Sequence, residues 1–155
     1  MKKQRIIYGL FFTFLLIGCN ADDLSFDELK NLKIGEYNIQ APGNFNLIEQ
    51  QGYDSKVGKI EGSGISMSFD YGMYTSPEQN IPEENYIIID EINEGIRKQL
   101  VIAKNPQANN TSIHISFIGN SGNTTPPSLK FWTTNLTNSQ QELVIKIYNS
   151  ITIER

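Results

Sequence analysis

Between residues 65 and 73 apolar and polar side chains alternate without a break. Ile65, Met67, Phe69, Tyr71 and Met73 fall on one side of an extended chain, and Ser66, Ser68, Asp70 and Gly72 on the other. The alternation predicts a strand with one face in a core. Lys56 to Ile60 precedes it across Glu61-Gly62-Ser63-Gly64, a connection with two glycines that suits a hairpin. Upstream, Gly35 to Gln40 reads as a short strand broken by Pro42-Gly43, and Phe45 to Ile48 as another. Residues 75–85 hold two prolines and three glutamates and predict a surface loop. Tyr86–Ile92 and Ile96–Lys104 follow, joined by the turn Asn93-Glu94-Gly95. Ile87-Ile88-Ile89 and Leu100-Val101-Ile102-Ala103 are apolar on both faces, which predicts central strands covered on two sides. Ser112–Ile118 alternates again, with Ile113, Ile115 and Phe117 opposite Ser112, His114 and Ser116. Leu129–Thr134 predicts a further strand. Ser139-Gln140-Gln141-Glu142 has capping-box spacing ahead of Leu143, Val144 and Ile147, the one long helical signal. Ser150–Ile153 closes the chain as a last alternating strand.

These elements predict an α+β fold, a mostly antiparallel meander of about seven to nine strands with one helix near the C-terminus. Residues 20–34 mix acidic and isolated apolar side chains and predict a tether, or a short helix over 26–32 capped by Ser25. The globular domain is expected over 35–155.

The first eighteen residues belong to a different pattern. Lys2, Lys3 and Arg5 precede an apolar run from Ile6 to Ile17, too short for a span of about 20 residues and suited to a secretory signal. Leu16-Ile17-Gly18-Cys19 resembles the lipobox of bacterial lipoproteins. The resemblance implies cleavage after Gly18 and a diacylglyceryl thioether on Cys19, with attachment to the lipid bilayer through acyl chains. Two or more chains hold a protein stably, since each buried methylene contributes about 0.8 kcal/mol. Asn20 is not the Asp that retains such proteins at the inner membrane, and Asp22-Asp23 resembles the export signals of Bacteroidota surface lipoproteins. The implied location is the outer membrane, on its periplasmic face or at the cell surface.

Charge and chemistry narrow the function. All three basic residues ahead of Cys19 leave with the signal and no acidic residue does, so ten basic side chains face seventeen acidic ones, a net charge of −7 instead of −4. An acidic surface argues against nucleic acid, which requires a basic patch. The 136 residues after Cys19 suit one domain. Cys19 is the only cysteine and His114 the only histidine, so the domain has no disulfide and no His/Cys zinc site; His114 is the one base a serine could use, and no G-x-S-x-G elbow surrounds any serine. His114 is expected to be exposed or hydrogen-bonded on a polar face. Gly62-Ser63-Gly64 lacks the third glycine of a phosphate loop. Asp54, Glu61 and Asp70 near one hairpin, and Asp90 with Glu91, lack metal-loop spacing. Neither catalytic residues, metal ligands nor a cofactor are expected. Tyr53, Tyr74 and Trp132 are the candidate binding surface, because Tyr and Trp suit faces both apolar and hydrogen-bonding.

Tyr37-Asn38-Ile39 ahead of Pro42 and Phe45, the Asp70-Tyr71-Gly72 strand end, and the helix running through Ile147-Tyr148-Asn149-Ser150-Ile151 into a strand are similar to the Mog1/PsbP-like group and to small Bacteroidota lipoproteins. That resemblance implies a non-catalytic binding or assembly role with an envelope protein as partner. The alternatives are a carboxylate-based, glycan-active envelope hydrolase and an inhibitor or immunity-like lipoprotein.

Overall fold

The structure, a computed structural model, describes residues 28–118 and 127–154. The lipobox, Gly18 and Cys19 lie outside them. Ten strands and one helix run in the order β1 (Leu29–Ile34), β2 (Tyr37–Pro42), β3 (Asn46–Gln51), β4 (Ser55–Gly62), β5 (Ile65–Gly72), β6 (Tyr86–Asn93), β7 (Ile96–Ala103), β8 (Thr111–Phe117), β9 (Ser128–Thr133), α1 (Asn138–Asn149) and β10 (Thr152–Ile153). The fold is α+β and every strand pair is antiparallel. Ten strands stand where seven to nine were expected, and they form two sheets: a small one ordered β1-β2-β10 and a large one ordered β3-β4-β5-β9-β8-β7-β6.

The extra strand is β1, in the stretch expected as tether or helix. Leu32 and Ile34 alternate into the core while Lys33 faces water, and Ile34 pairs with Tyr37 across Gly35-Glu36. Gly35 takes φ +56°, and a Cβ there would lie 2.4 Å from the Tyr71 ring, so only glycine fits beneath that ring. The domain therefore starts before residue 35. Two other connections are tighter than expected. Ser63-Gly64 and Glu94-Gly95 are two-residue loops with both φ positive, the backbone that matches the twist of flanking strands.

The alternating stripe of β5 meets the core from Ile65 to Tyr71 but not at Met73. Ile65, Met67 and Phe69 are buried, and Tyr71 is half-buried with its hydroxyl donating to Glu36 at 2.6 Å; Met73, just beyond the strand, is exposed. Across the large sheet the core row is Phe69, Phe131, Ile113 and Leu100. On this inner face lie β1-β2 and the helix, which contributes Leu143, Val144, Ile147 and Tyr148. The N-cap lies two residues before the expected one: Thr137 and Gln140 form the capping box. Leu136 donates its N–H to the Pro106 carbonyl at 3.0 Å, which fixes the entry and lets Thr137 turn the chain.

Chain order dictates what covers the opposite, outer face. Strand β9 inserts between β5 and β8, so the connection from β5 to β6 must pass β9, β8 and β7, about 19 Å at the usual strand spacing. Residues 73–85 make that crossing.

Candidate binding surfaces

Strand β6 is an edge. Among the described residues it pairs only with β7, and the expectation that Ile87-Ile88-Ile89 form a central, doubly covered strand is wrong. Ile87, Ile88, Ile89 and Ile92 are 52%, 37%, 41% and 67% exposed. The run is apolar on both faces, as a central strand's would be, yet neither helix nor small sheet reaches it. Ile89 continues the core row Phe131-Ile113-Leu100 past the point where cover ends. The other edge, β3, has the polar sequence Asn-Leu-Ile-Glu-Gln-Gln.

The acidic pair on β6 is neutralised by its neighbour. Arg97 donates from Nε and Nη2 to the two Asp90 oxygens at 2.9 and 2.6 Å, which holds the Asp90 carboxyl below the usual carboxylate range. Glu91 stands opposite Lys98, whose pKa is lowered by burial while the Glu91 charge works to raise it. Glu94-Gly95 sets the register of both pairs.

On the outer face the 73–85 segment is clamped by its middle. The Glu78 N–H donates to Gln99 Oε1 at 2.8 Å, Gln99 Nε2 donates back to the Glu78 carbonyl at 3.2 Å, and Lys130 Nζ meets the Glu78 carboxylate at 2.9 Å. Beside the clamp lies a cleft of about 170 Å³ between Ile81, Tyr86, Val101, Asn110 and Ser112. Alternation puts Ser112 on the polar face of β8; the crossing segment buries it together with Gln99.

His114 lies in the same ladder row, between Lys130 and Gln99. It is only 2% exposed, and neither ring nitrogen finds a hydrogen-bond partner among the described residues. It is therefore buried and not exposed, and the polar group set against it is the Thr75 backbone. Burial pushes its pKa below 6.5, the nearby Thr75 backbone opposes that, Lys130 and Arg97 reinforce it, and Asp90 pulls upward. A folded pKa below the unfolded one means that the unfolded chain binds the proton first as pH falls. Stability is complete above about pH 6.5 and is lost as pH drops through that value toward the folded pKa. Denaturant unfolding from about pH 7.5 to 5 is expected to show this decline, and His114→Phe should flatten it; an equal slope in both proteins would contradict the assignment.

The residues expected to form an aromatic surface are divided. Tyr53, in the β3–β4 connection, and Tyr74, after β5, are fully or nearly fully exposed. The pairing of Ser55 with Gly72 puts them at the same end of the sheet. Trp132 is half-buried on the outer face, opposite Ser68 and Ser112, four residues along β9 from that end. Tyr53 and Tyr74 can belong to one patch; Trp132 belongs to another part of the sheet.

Asp70, opposite Lys130, and Glu78, ion-paired with it, neighbour the same lysine, whereas the other hairpin carboxylates stand apart. Asp54 and Glu61 flank opposite ends of β4, about 23 Å apart along an extended strand. Glu61 is engaged by Lys59 and Ser66, which lower its pKa. Among the described residues no three His, Cys, Asp or Glu side chains gather as metal ligands, and no helix is long and apolar enough to cross a membrane. No protein-family model, no curated protein and no solved structure matches this chain.

Proposed function

We propose that this chain is a lipid-anchored lipoprotein of the bacterial cell envelope, held at the outer membrane by acyl chains on Cys19, whose acidic α+β domain binds a protein partner without catalysis. The observation that carries the binding role is the uncovered isoleucine edge of β6. Exposed apolar edges of this length are association sites, and β6 carries none of the lysine or proline that blunts a solvent-facing edge. Its position agrees with anchoring. The chain enters the domain at Glu28, whose carbonyl accepts from Gly43 N–H, and Lys30 Nζ donates to the Phe45 carbonyl, both beside the β3 edge. Six inter-strand steps, about 29 Å, separate that edge from β6.

The Mog1/PsbP-like layout is part of this proposal. A strand run ending in a helix and a short last strand, packed on an antiparallel sheet, supports it. The hydrolase alternative has less support, since two carboxylates about 5–10 Å apart across a cleft are required and Asp54 and Glu61 stand far beyond that.

The test is Cys19→Ser. The wild-type chain is expected in the membrane fraction with an acylated N-terminal Cys19 by mass spectrometry. The variant should be soluble or remain an unprocessed precursor. A variant still processed and membrane-bound would sink the anchor assignment.

A further inference from the structure

We propose that the partner seated on β6 is a second copy of this chain, its β6 paired antiparallel with the first across a two-fold axis at Ile88, so that two seven-stranded sheets become one. This rests on the reading of the domain as a binding module and names its partner. Three observations support a self-pairing over another occupant.

The first is charge. A two-fold antiparallel pair must keep each face on its own side, which restricts the axis to pass through a residue on β6. With the axis at Ile88, Ile87 of one copy stands opposite Ile89 of the other, Tyr86 opposite Asp90, and Asn85 opposite Glu91. No carboxylate meets a carboxylate. Moving the axis to Ile89 sets Ile88 against Asp90 and Ile87 against Glu91; moving it to Ile87 sets Glu84 against Asp90. Arg97 on Asp90 and Lys98 beside Glu91 leave the β6–β7 pair without the excess negative charge that would repel its twin.

The second is shape. The exposed isoleucines lie on both faces of the edge, Ile87 and Ile89 on the inner side and Ile88 and Ile92 on the outer. A peptide inserted into a groove would cover one face. Extension of the sheet by an identical strand covers both, and its backbone bonds satisfy the free groups of the edge.

The third is what the chain itself can supply. Residues 119–126, GNSGNTTP, carry no large apolar side chain. The eight residues between Cys19 and Glu28 span at most about 29 Å fully extended, no more than the six inter-strand steps from the β3 edge, beside which Glu28 lies, to β6, which leaves none to pair with it.

The closing experiment uses the full chain in its own membrane. With Cys19 acylated, Ile88→Cys supplies the one free thiol. Mild oxidation is expected to give a covalent homodimer on non-reducing gels, and Tyr53→Cys, at a sheet end away from the axis, is expected to give none. In parallel, sedimentation of the soluble Cys19→Ser chain should show a dimer, and adding Ile88→Lys, on an exposed site that leaves the circular dichroism spectrum unchanged, should weaken the dimer's Kd by about tenfold or more. A monomer with no disulfide through Ile88→Cys would overturn the proposal. So would a dimer indifferent to Ile88→Lys. If the Ile88→Cys thiol instead joins a different envelope protein, self-pairing falls and the binding-module reading stands. If it joins nothing, both fall.

Discussion

Phe131→Ala is expected to destabilise the domain by about 3–5 kcal/mol, the cost of removing a buried aromatic ring and leaving its cavity. Phe131 sits at the centre of the core, with ring centroids 5.8 Å from Phe69 and 5.9 Å from Tyr148. It joins the large sheet to α1, and both neighbouring rings are buried. The cavity has little chance to collapse, because Phe69 and Ile113 flank it on paired strands and Tyr148 is held by the helix. The Tyr148 hydroxyl is itself buried without a partner among the described residues, so this part of the core already holds one uncompensated polar group. Against a total of about 5–15 kcal/mol, the substitution consumes a large share of the stability. The thermal midpoint of the soluble Cys19→Ser chain should drop by roughly 6–20 °C. Ile88→Ala, at the exposed edge, should move it far less. A shift of only a degree or two for Phe131→Ala would mean that the sheet and helix are not joined there.

That core was legible from the chain alone because its strands carry apolar side chains on the one face that meets the helix. On β5, β8 and β9 the alternation of apolar with polar positions records which side meets the helix: Ile65, Met67 and Phe69, then Ile113 and Ile115, then Leu129 and Phe131 all point inward. The helix was legible for the same reason, through Leu143, Val144 and Ile147. The strand at Leu29–Ile34 was not, because only Leu32 and Ile34 are buried, and two apolar side chains among lysines resemble a tether until β2 supplies the hydrogen bonds.

The candidate surfaces depend on strand order, which alternation does not encode. Ile87-Ile88-Ile89 has the same composition whether it lies in the middle of a sheet or at its rim. What places it at the rim is the insertion of β9 between β5 and β8, a pairing between residues about sixty positions apart. The same insertion drags residues 73–85 across the outer face and buries Gln99 and His114, the latter on the polar face of its strand. One local sign was present: β6 holds no lysine or proline, so an edge assignment would have implied an association site at once. The three aromatic residues are spread for a related reason, since Tyr53 and Tyr74 share an end of the sheet through the Ser55–Gly72 pairing while Trp132 belongs to the middle rows.

The second large effect is expected at Gly58, on β4 under the Phe69 ring. A Cβ there would lie 2.1 Å from the Ile48 carbonyl oxygen and 2.7 Å from ring carbons of Phe69. Two opposing terms decide the sign of Gly58→Ala. Restricting the unfolded chain favours alanine by about 0.4–1 kcal/mol. Overpacking a rigid neighbour costs about 1–3 kcal/mol and sometimes more, and here one contact is backbone, which yields only if β3 shifts on β4. The clash prevails. Gly58→Ala should lose about 2 kcal/mol or more by denaturant unfolding, and hydrogen exchange should rise first in β3 and β4, the sheet edge beside the point where the chain enters. Because β6 lies at the other edge, the Ile88→Cys crosslink should persist in this variant as long as the domain stays folded. Loss of the crosslink alongside intact β5, β8 and β9 protection would show that the two edges are coupled, and β6 pairing would then depend on the whole sheet's twist instead of its own isoleucines.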